Sequence, residues 1–183
     1  MTDIAAIHLE ETLPPPRLDI GCGRTTPEGW EGIDAIDFGQ KHIFDVRQGL
    51  PFPDNSVDEI RSSHFVEHLT GSERVSFFNE VWRVLKPSAT ALIITPNWSH
   101  ACAYGDPTHQ WPPMSQWWPL YLRSDWRSVN APHVGFTCHF DHVIAGSWDE
   151  AIAARNPEAK SMMMNHYTNA WRDLIVTLTK RPL

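Results

Sequence analysis

Leu18-Asp19-Ile20-Gly21-Cys22-Gly23 is the stretch that decides how this chain is read. Two apolar residues flank an acid, and the run then breaks into Gly-x-Gly. A buried parallel strand ends this way when it stops at a turn that a ligand approaches closely. With no Cβ at either glycine, the main chain can reach van der Waals contact with a nucleotide-like molecule. A dinucleotide-binding turn calls for a third glycine three residues on, and that position is Thr26.

Around this run, 183 residues fit one domain, 1–183, with enough chain for a core that needs no disulfide or metal staple. Hydrophobic residues make up 42% and charged residues 20%, ordinary for a globular protein in water. Cys22, Cys102 and Cys138 are widely spaced and offer neither a disulfide framework nor a C-x-x-C metal site. That usage suits a reducing cytosol, so a cytoplasmic location is expected. Met1 to Arg17 carries Asp3, Glu10 and Glu11 and is not expected to act as a signal peptide. No stretch reaches transmembrane length, and no membrane partner is expected. The net charge of −7, with no Lys/Arg cluster, disfavours long nucleic acid as a partner. Nine tryptophans and ten histidines are unusual, and aromatic density of this kind often lines a pocket or an interface.

Along the chain, Pro14-Pro15-Pro16 forms a stiff lead-in to the first strand. Gly32 to Asp37 reads as strand two, His42 to Val46 as strand three and Val57 to Ser62 as strand four. Thr70-Gly-Ser-Glu73 has capping-box spacing, and Val75, Phe78, Trp82 and Leu85 predict the buried face of a helix that Lys86-Pro87 stops. Ala89 to Thr95 is an apolar, β-branched fifth strand. Strand, helix and strand in this order imply a parallel sheet with right-handed crossovers. Regularity fails from Pro96 to Pro132, which holds five of the tryptophans; long segments of this kind are usually functional. Phe136 to Ala145 predicts a sixth strand, Glu150 to Tyr167 a helix interrupted by Pro157, and Asp173 to Lys180 a final strand.

The glycine run resembles motif I of class I S-adenosylmethionine (SAM)-dependent methyltransferases, a hydrophobic strand ending in D-x-G-x-G. Further motifs, in the order and spacing of the type 11 branch, strengthen the resemblance. Leu50-Pro-Phe-Pro-Asp-Asn-Ser-Val-Asp58 resembles its lead into strand four, and Ser63-His-Phe-Val-Glu-His-Leu69 its helix-opening H-x-x-E-H-L. Arg83-Val-Leu-Lys-Pro87 matches R-V-L-K-P-G except that Ser88 replaces the glycine. The likeness runs from about Arg17 to Asn97. It implies a Rossmann-like, doubly wound α/β fold, with a mostly parallel seven-stranded sheet, one antiparallel strand and a Trp-rich insertion (96–135) after strand five. It also implies SAM as cofactor. Gly21, Cys22 and Gly23 would form the loop under its methionine and ribose, and Asp19 would hold the amino group. Asp34 or Asp37 would bind the ribose hydroxyls, Asp34 being favoured, since adjacent hydroxyls suit one bidentate acceptor. Asp45 would sit near the adenine amino group. Cys22 reads as packing rather than as a nucleophile.

His64, Glu67 and His68 have the helical spacing i, i+3, i+4. H-x-x-E-H is also an inverzincin zinc signature, and in methyltransferases of vicinal hydroxyls E-x-x-E-H holds a divalent metal. In most type 11 sequences these residues hold no metal and the first His lies near the sulfonium. No metal is therefore expected, and His64 counts as both a cofactor-side and a catalytic candidate. In the insertion, Asp106-Pro-Thr-His109 supplies two further catalytic candidates, Asp106 and His109, as base or orienter of the acceptor. Against this stands a plain turn in which Asp106 caps the backbone ahead of Pro107.

Two absences narrow the chemistry. Ser62-Ser63-His64-Phe65 stands where amine-methylating DNA enzymes carry D/N-P-P-Y/F, and no Pro-Cys pair serves cytosine C5 chemistry. The expected activity is transfer of the SAM methyl to an oxygen or nitrogen of a small-molecule or saccharide-like acceptor of unassigned identity. The alternative is a SAM-binding or degenerate fold acting as a protein interaction module.

Overall fold

β1 (Arg17–Ile20) grows from the decisive run and pairs in parallel with β2 (Glu31–Asp34) on one side and β4 (Val57–Ser63) on the other. In the computed structural model the described residues are 16–183; Pro14, Pro15 and almost all of the segment weighed as a leader lie outside them. β3 (His42–Ile43) extends the sheet beyond β2, and β5 (Leu85–Pro96) pairs in parallel with β4. β7 (Asp173–Lys180) inserts antiparallel between β5 and β6 (Phe140–Ser147). The seven-stranded order β3-β2-β1-β4-β5-β7-β6 gives the expected Rossmann-like α/β sheet with one reversed strand. The order turns back on itself between β1 and β4, and a ligand crevice belongs at the carboxyl ends of strands flanking such a point.

Register shows which face is packed. Leu18 and Ile20 of β1, Ile33 of β2, Ile60 of β4, Ala91 and Ile93 of β5 and Leu174, Val176 and Leu178 of β7 align across the ladders, and all are buried. Helix α1 (Gly71–Val84) packs its own apolar stripe into the same core. Thr70 caps α1: its side chain accepts the Glu73 N–H while Glu73 accepts the Thr70 N–H, the capping box read from the sequence.

The buried stripe of α1 is rotated by about one position from the expected face. Phe77, Phe78, Val81 and Val84 are inside, together with Arg74, while Val75 and Trp82 are only half-buried. Arg74 is the reason. Its guanidinium donates to four backbone carbonyls and is thereby accommodated inside, turning a polar position inward. The helix ends at Val84, just before Lys86 and Pro87, and these two residues already belong to β5. Ser88, where the family motif has glycine, takes the left-handed φ of 65° that glycine adopts freely.

β2 and β3 are shorter than expected. The Asp34 carboxylate accepts the Ile36 N–H and turns the chain out of the ladder. Asp45 caps a 3-10 turn, Val46–Gln48, in place of further strand. Among the described residues no α-helix lies between β1 and β2, β2 and β3, or β3 and β4. The 96–135 insertion contains α2 (Cys102–Gly105), a 3-10 turn (Trp118–Leu122) and α3 (Ser124–Asn130). Between β6 and β7 lie α4 (Glu150–Ala153) and α5 (Pro157–His166). The helical stretch from Glu150 is interrupted as expected: α4 ends at Ala153, and Pro157 starts α5 behind the Asn156 cap. Among the described residues no helix is long and apolar enough to cross a membrane.

Candidate functional site

A cleft of about 390 Å³ opens at the carboxyl ends of β1, β2 and β4, within the size range of ligand sites. Gly21, Asp34, Asp45 and His64 line it, joined by Phe38, Phe44, Val46, Arg47, Phe65 and His68. Four candidates that are scattered in the sequence thus meet in one place, where the strand order predicts a crevice.

Gly21 holds φ at +69°, and a Cβ there would stand 2.5 Å from the Phe65 ring. Glycine is demanded at this turn by the Phe65 side chain as well as by backbone conformation. Gly23, also at positive φ, faces open space and borders a neighbouring depression rather than the main cleft. Its N–H donates to Asp34 Oδ2 at 3.0 Å, while Ile36 N–H donates to Oδ1 at 2.9 Å. Asp34 therefore locks the glycine turn to the end of β2 and still borders the cleft. Asp37 does not border it; its carboxylate accepts the Gly39 N–H in a local turn.

Asp19 and Cys22 are not brought into the cleft lining. Asp19 is fully buried, with Oδ1 accepting from Arg61 Nη1 at 2.6 Å and Oδ2 without a partner. Burial is the larger influence and pushes its carboxyl up, with Arg61 opposing. Cys22 is buried, and burial also raises its thiol, which suits packing and not nucleophilic chemistry. Asp45 ion-pairs with Arg47 at 2.7 Å, and that hydrogen bond holds its carboxyl below the usual range.

His64 follows β4 with a left-handed φ of 54°, and its N–H donates to the Ile94 carbonyl. The H-x-x-E-H run is consequently not one α-helical face: His64 precedes a 3-10 turn, Val66–His68. His64 Nδ1 stands 3.4 Å from Glu67 Oε1, and Nε2 stands 3.9 Å from Asp173 Oδ1. Glu67 raises the imidazole pKa most, against the opposing effect of burial. Glu67 is itself buried; its Oε2 accepts from Thr95 Oγ1 at 3.0 Å and Oε1 has no satisfied hydrogen bond.

The insertion supplies the wall beside His68. Arg74 clamps it there, donating to Val66 and Glu67 carbonyls on one side and to Gln110 and Pro112 carbonyls on the other. The Gln110 N–H also donates to the Glu67 carbonyl at 2.8 Å. This places His109 against His68, edge to face with ring centroids 4.8 Å apart. Asp106 accepts both the Thr108 N–H and the Thr108 hydroxyl, which is the turn geometry weighed for it; these bonds lower its carboxyl pKa. Asp106 and His109 border a further depression of about 240 Å³ with Tyr104 and Trp111. Trp117 and Trp118 part company: Trp118 stacks on Phe78 of α1, whereas Trp117 is exposed.

Sequence reasoning missed Arg47, Phe65, Arg61 and Asp173. Asp173 had no local signal, because only the antiparallel insertion of β7 brings it to His64. Arg61 could have been found: it sits beside Asp19 in the ladder, where a buried acid needs a partner.

The residues present suit SAM. Its ribose calls for a strand-end acid such as Asp34, and its approach for a turn without Cβ such as Gly21. Comparisons with known proteins show what the chain is similar to. The type 11 family described as "Methyltransferase domain" matches residues 31–93. A probable S-adenosylmethionine-dependent methyltransferase of Mycolicibacterium smegmatis is 40% identical over 76 residues, 36% of this chain and 29% of that protein. The match thus spans less than a third of that relative's length. Among solved structures, a SAM-dependent methyltransferase from Archaeoglobus fulgidus superposes with TM-score 0.60 at 21% identity, covering 90% of this chain and 86% of that one. One from Methanosarcina mazei gives TM-score 0.54 at 18% identity, covering 92% and 94%.

Proposed function

We propose that this chain is a class I SAM-dependent methyltransferase, as its fold and the family match over residues 31–93 support, and that it binds SAM in the Gly21–Asp34–Asp45–His64 cleft and methylates an acceptor held beside the insertion. The observation carrying this reading is the convergence of those four residues at the carboxyl ends of β1, β2 and β4, flanking the point where strand order reverses.

Bound SAM supplies an activated methyl on a sulfonium: the S–CH3 bond breaks with its electron pair left on sulfur, a bond to the acceptor forms, and the acceptor's proton leaves. The protein's own task is to hold, align and dehydrate. Asp34 accepts the two ribose hydroxyls, Asp45 with Val46 and Phe44 flanks the base, and Gly21 lets the main chain close on the ligand. His64, at the mouth of the cleft and half-exposed, takes or steers the acceptor's proton. His109 acts from the insertion side, its ring oriented by the Ala103 carbonyl, while Asp106 stands behind the neighbouring His68 through Thr108. The acceptor is an oxygen or nitrogen of a small or saccharide-like molecule; the exposed Trp111, Trp117 and Tyr104 offer flat faces for one.

The test is calorimetric titration with S-adenosylhomocysteine, followed by radiolabelled SAM with fractionated small-molecule extract. Binding well below about 1 mM and label transfer that His64→Ala abolishes are expected. Absence of binding at that concentration overturns the reading.

A further inference from the structure

We propose that Glu67, His68 and His109 form a binding site for a divalent transition-metal cation of the zinc type. One ligand atom from each residue lies within 4.8 Å of the other two. They come from the 3-10 turn after β4 and from the insertion, and Arg74 holds the two segments together.

Hydrogen bonding prepares both imidazoles for the role. His109 Nδ1 lies 3.1 Å from the Ala103 carbonyl, which can only accept, so Nδ1 carries the proton and Nε2 presents its lone pair. His68 Nδ1 lies 2.8 Å from Thr108 Oγ1, whose own proton goes to Asp106 Oδ1 at 2.7 Å. Thr108 therefore accepts from His68, and that ring also keeps Nε2 free. Metal-bound histidines are oriented in this way, by a carbonyl or a carboxylate-backed hydroxyl on the far nitrogen. The third ligand is a buried carboxylate whose Oε1 has only the half-exposed His64 Nδ1 near it, at 3.4 Å. Glu67 is only 4% exposed, and its Oε1 has no hydrogen bond. A buried carboxylate oxygen left unsatisfied is costly, and a cation satisfies it.

The donor set selects the ion. Two imidazole nitrogens and one carboxylate suit zinc and its neighbours, whereas magnesium prefers an all-oxygen shell. Ligand bonds of about 2.1 Å draw such atoms to within about 3–4 Å of one another, so the site contracts slightly on binding. Three protein ligands leave coordination open, and His68 borders the donor cleft while His109 borders the adjoining depression. An ion there could polarise an acceptor oxygen; that role, unlike binding itself, rests on the methyl-transfer reading.

The experiment titrates chelator-treated full-length protein with zinc alone, with magnesium alone, and separately with S-adenosylhomocysteine. One zinc per chain at micromolar or tighter affinity is expected, weakened at least about tenfold by His68→Ala, His109→Ala and Glu67→Gln, and unchanged by His166→Ala. Glu67→Gln preserves an acceptor for Thr95, so it keeps the test valid if an alanine variant is unstable. Cobalt should give visible absorption bands that His109→Ala removes. No stoichiometric zinc, or zinc binding indifferent to these changes, overturns the site. Should S-adenosylhomocysteine bind while zinc does not, the metal site fails and the methyltransferase reading stands.

Discussion

The Asp34 carboxylate accepts the backbone N–H of Gly23 at 3.0 Å, tying the turn after β1 to the end of β2. One side chain thus sets the shape of the loop and borders the cleft that the loop shapes. Asp34→Ala should weaken S-adenosylhomocysteine binding by about 2 kcal/mol, roughly thirtyfold, because charged hydrogen bonds are worth that much. Asp37→Ala, whose carboxylate serves a separate turn, should leave affinity within about twofold in the same calorimetric series.

Ser88 occupies a glycine conformation at an exposed position near the start of β5, where the register with β4 is irregular. A non-glycine residue there is strained by about 1–2 kcal/mol, partly offset by the greater entropy glycine loses on folding. Ser88→Gly should therefore stabilise the protein by about 0.5–1 kcal/mol, read as a raised urea midpoint with unchanged slope. A lower midpoint would show that the strain is absent.

Arg74 is buried and donates to four carbonyls. Arg74→Met fills similar volume but strands those acceptors, and should cost about 3 kcal/mol in denaturant unfolding. Arg74→Lys should recover only part of this, since a single ammonium cannot span both segments. Equal stability of the methionine variant and the parent would remove Arg74 as the clamp.

Glu80 accepts from Arg83 Nε at 2.8 Å and Nη2 at 2.7 Å, and from the Leu50 N–H at 2.8 Å. The Arg83 hydrogen bonds hold its carboxyl below the usual 4.5. A depressed folded value means that this stabilisation is complete above about pH 4.5 and is lost as pH falls through the folded value. Between pH 5 and 3, roughly, the parent should lose about 1 kcal/mol more stability than Glu80→Gln does. Parallel losses in the two proteins would contradict the assignment.

The sheet was legible wherever pattern is local. Alternation in Asp173–Lys180 and the apolar runs at Leu18 and Ala89 describe strands whose buried residues now align by register. The orientation of α1 was misjudged because hydrophobicity alone cannot show that a buried arginine will find four carbonyls. The strand ends at β2 and β3 were set by side-chain carboxylates competing with the ladder, an effect that periodicity does not carry.

Sequence by itself determined that a glycine turn follows a parallel strand, and the ordered motifs from Leu50 to Pro87 carried the resemblance to SAM-dependent methyltransferases. Both are short-range properties, since turns and motifs are encoded by adjacent residues. Only the tertiary structure decided which carboxylate faces the cleft, why Gly21 must be glycine, and that His109 from the insertion gathers beside Glu67 and His68. Those facts depend on Phe65 packing over the turn and on Arg74 drawing the insertion onto β4. Contacts between residues far apart in the chain leave no periodicity behind them.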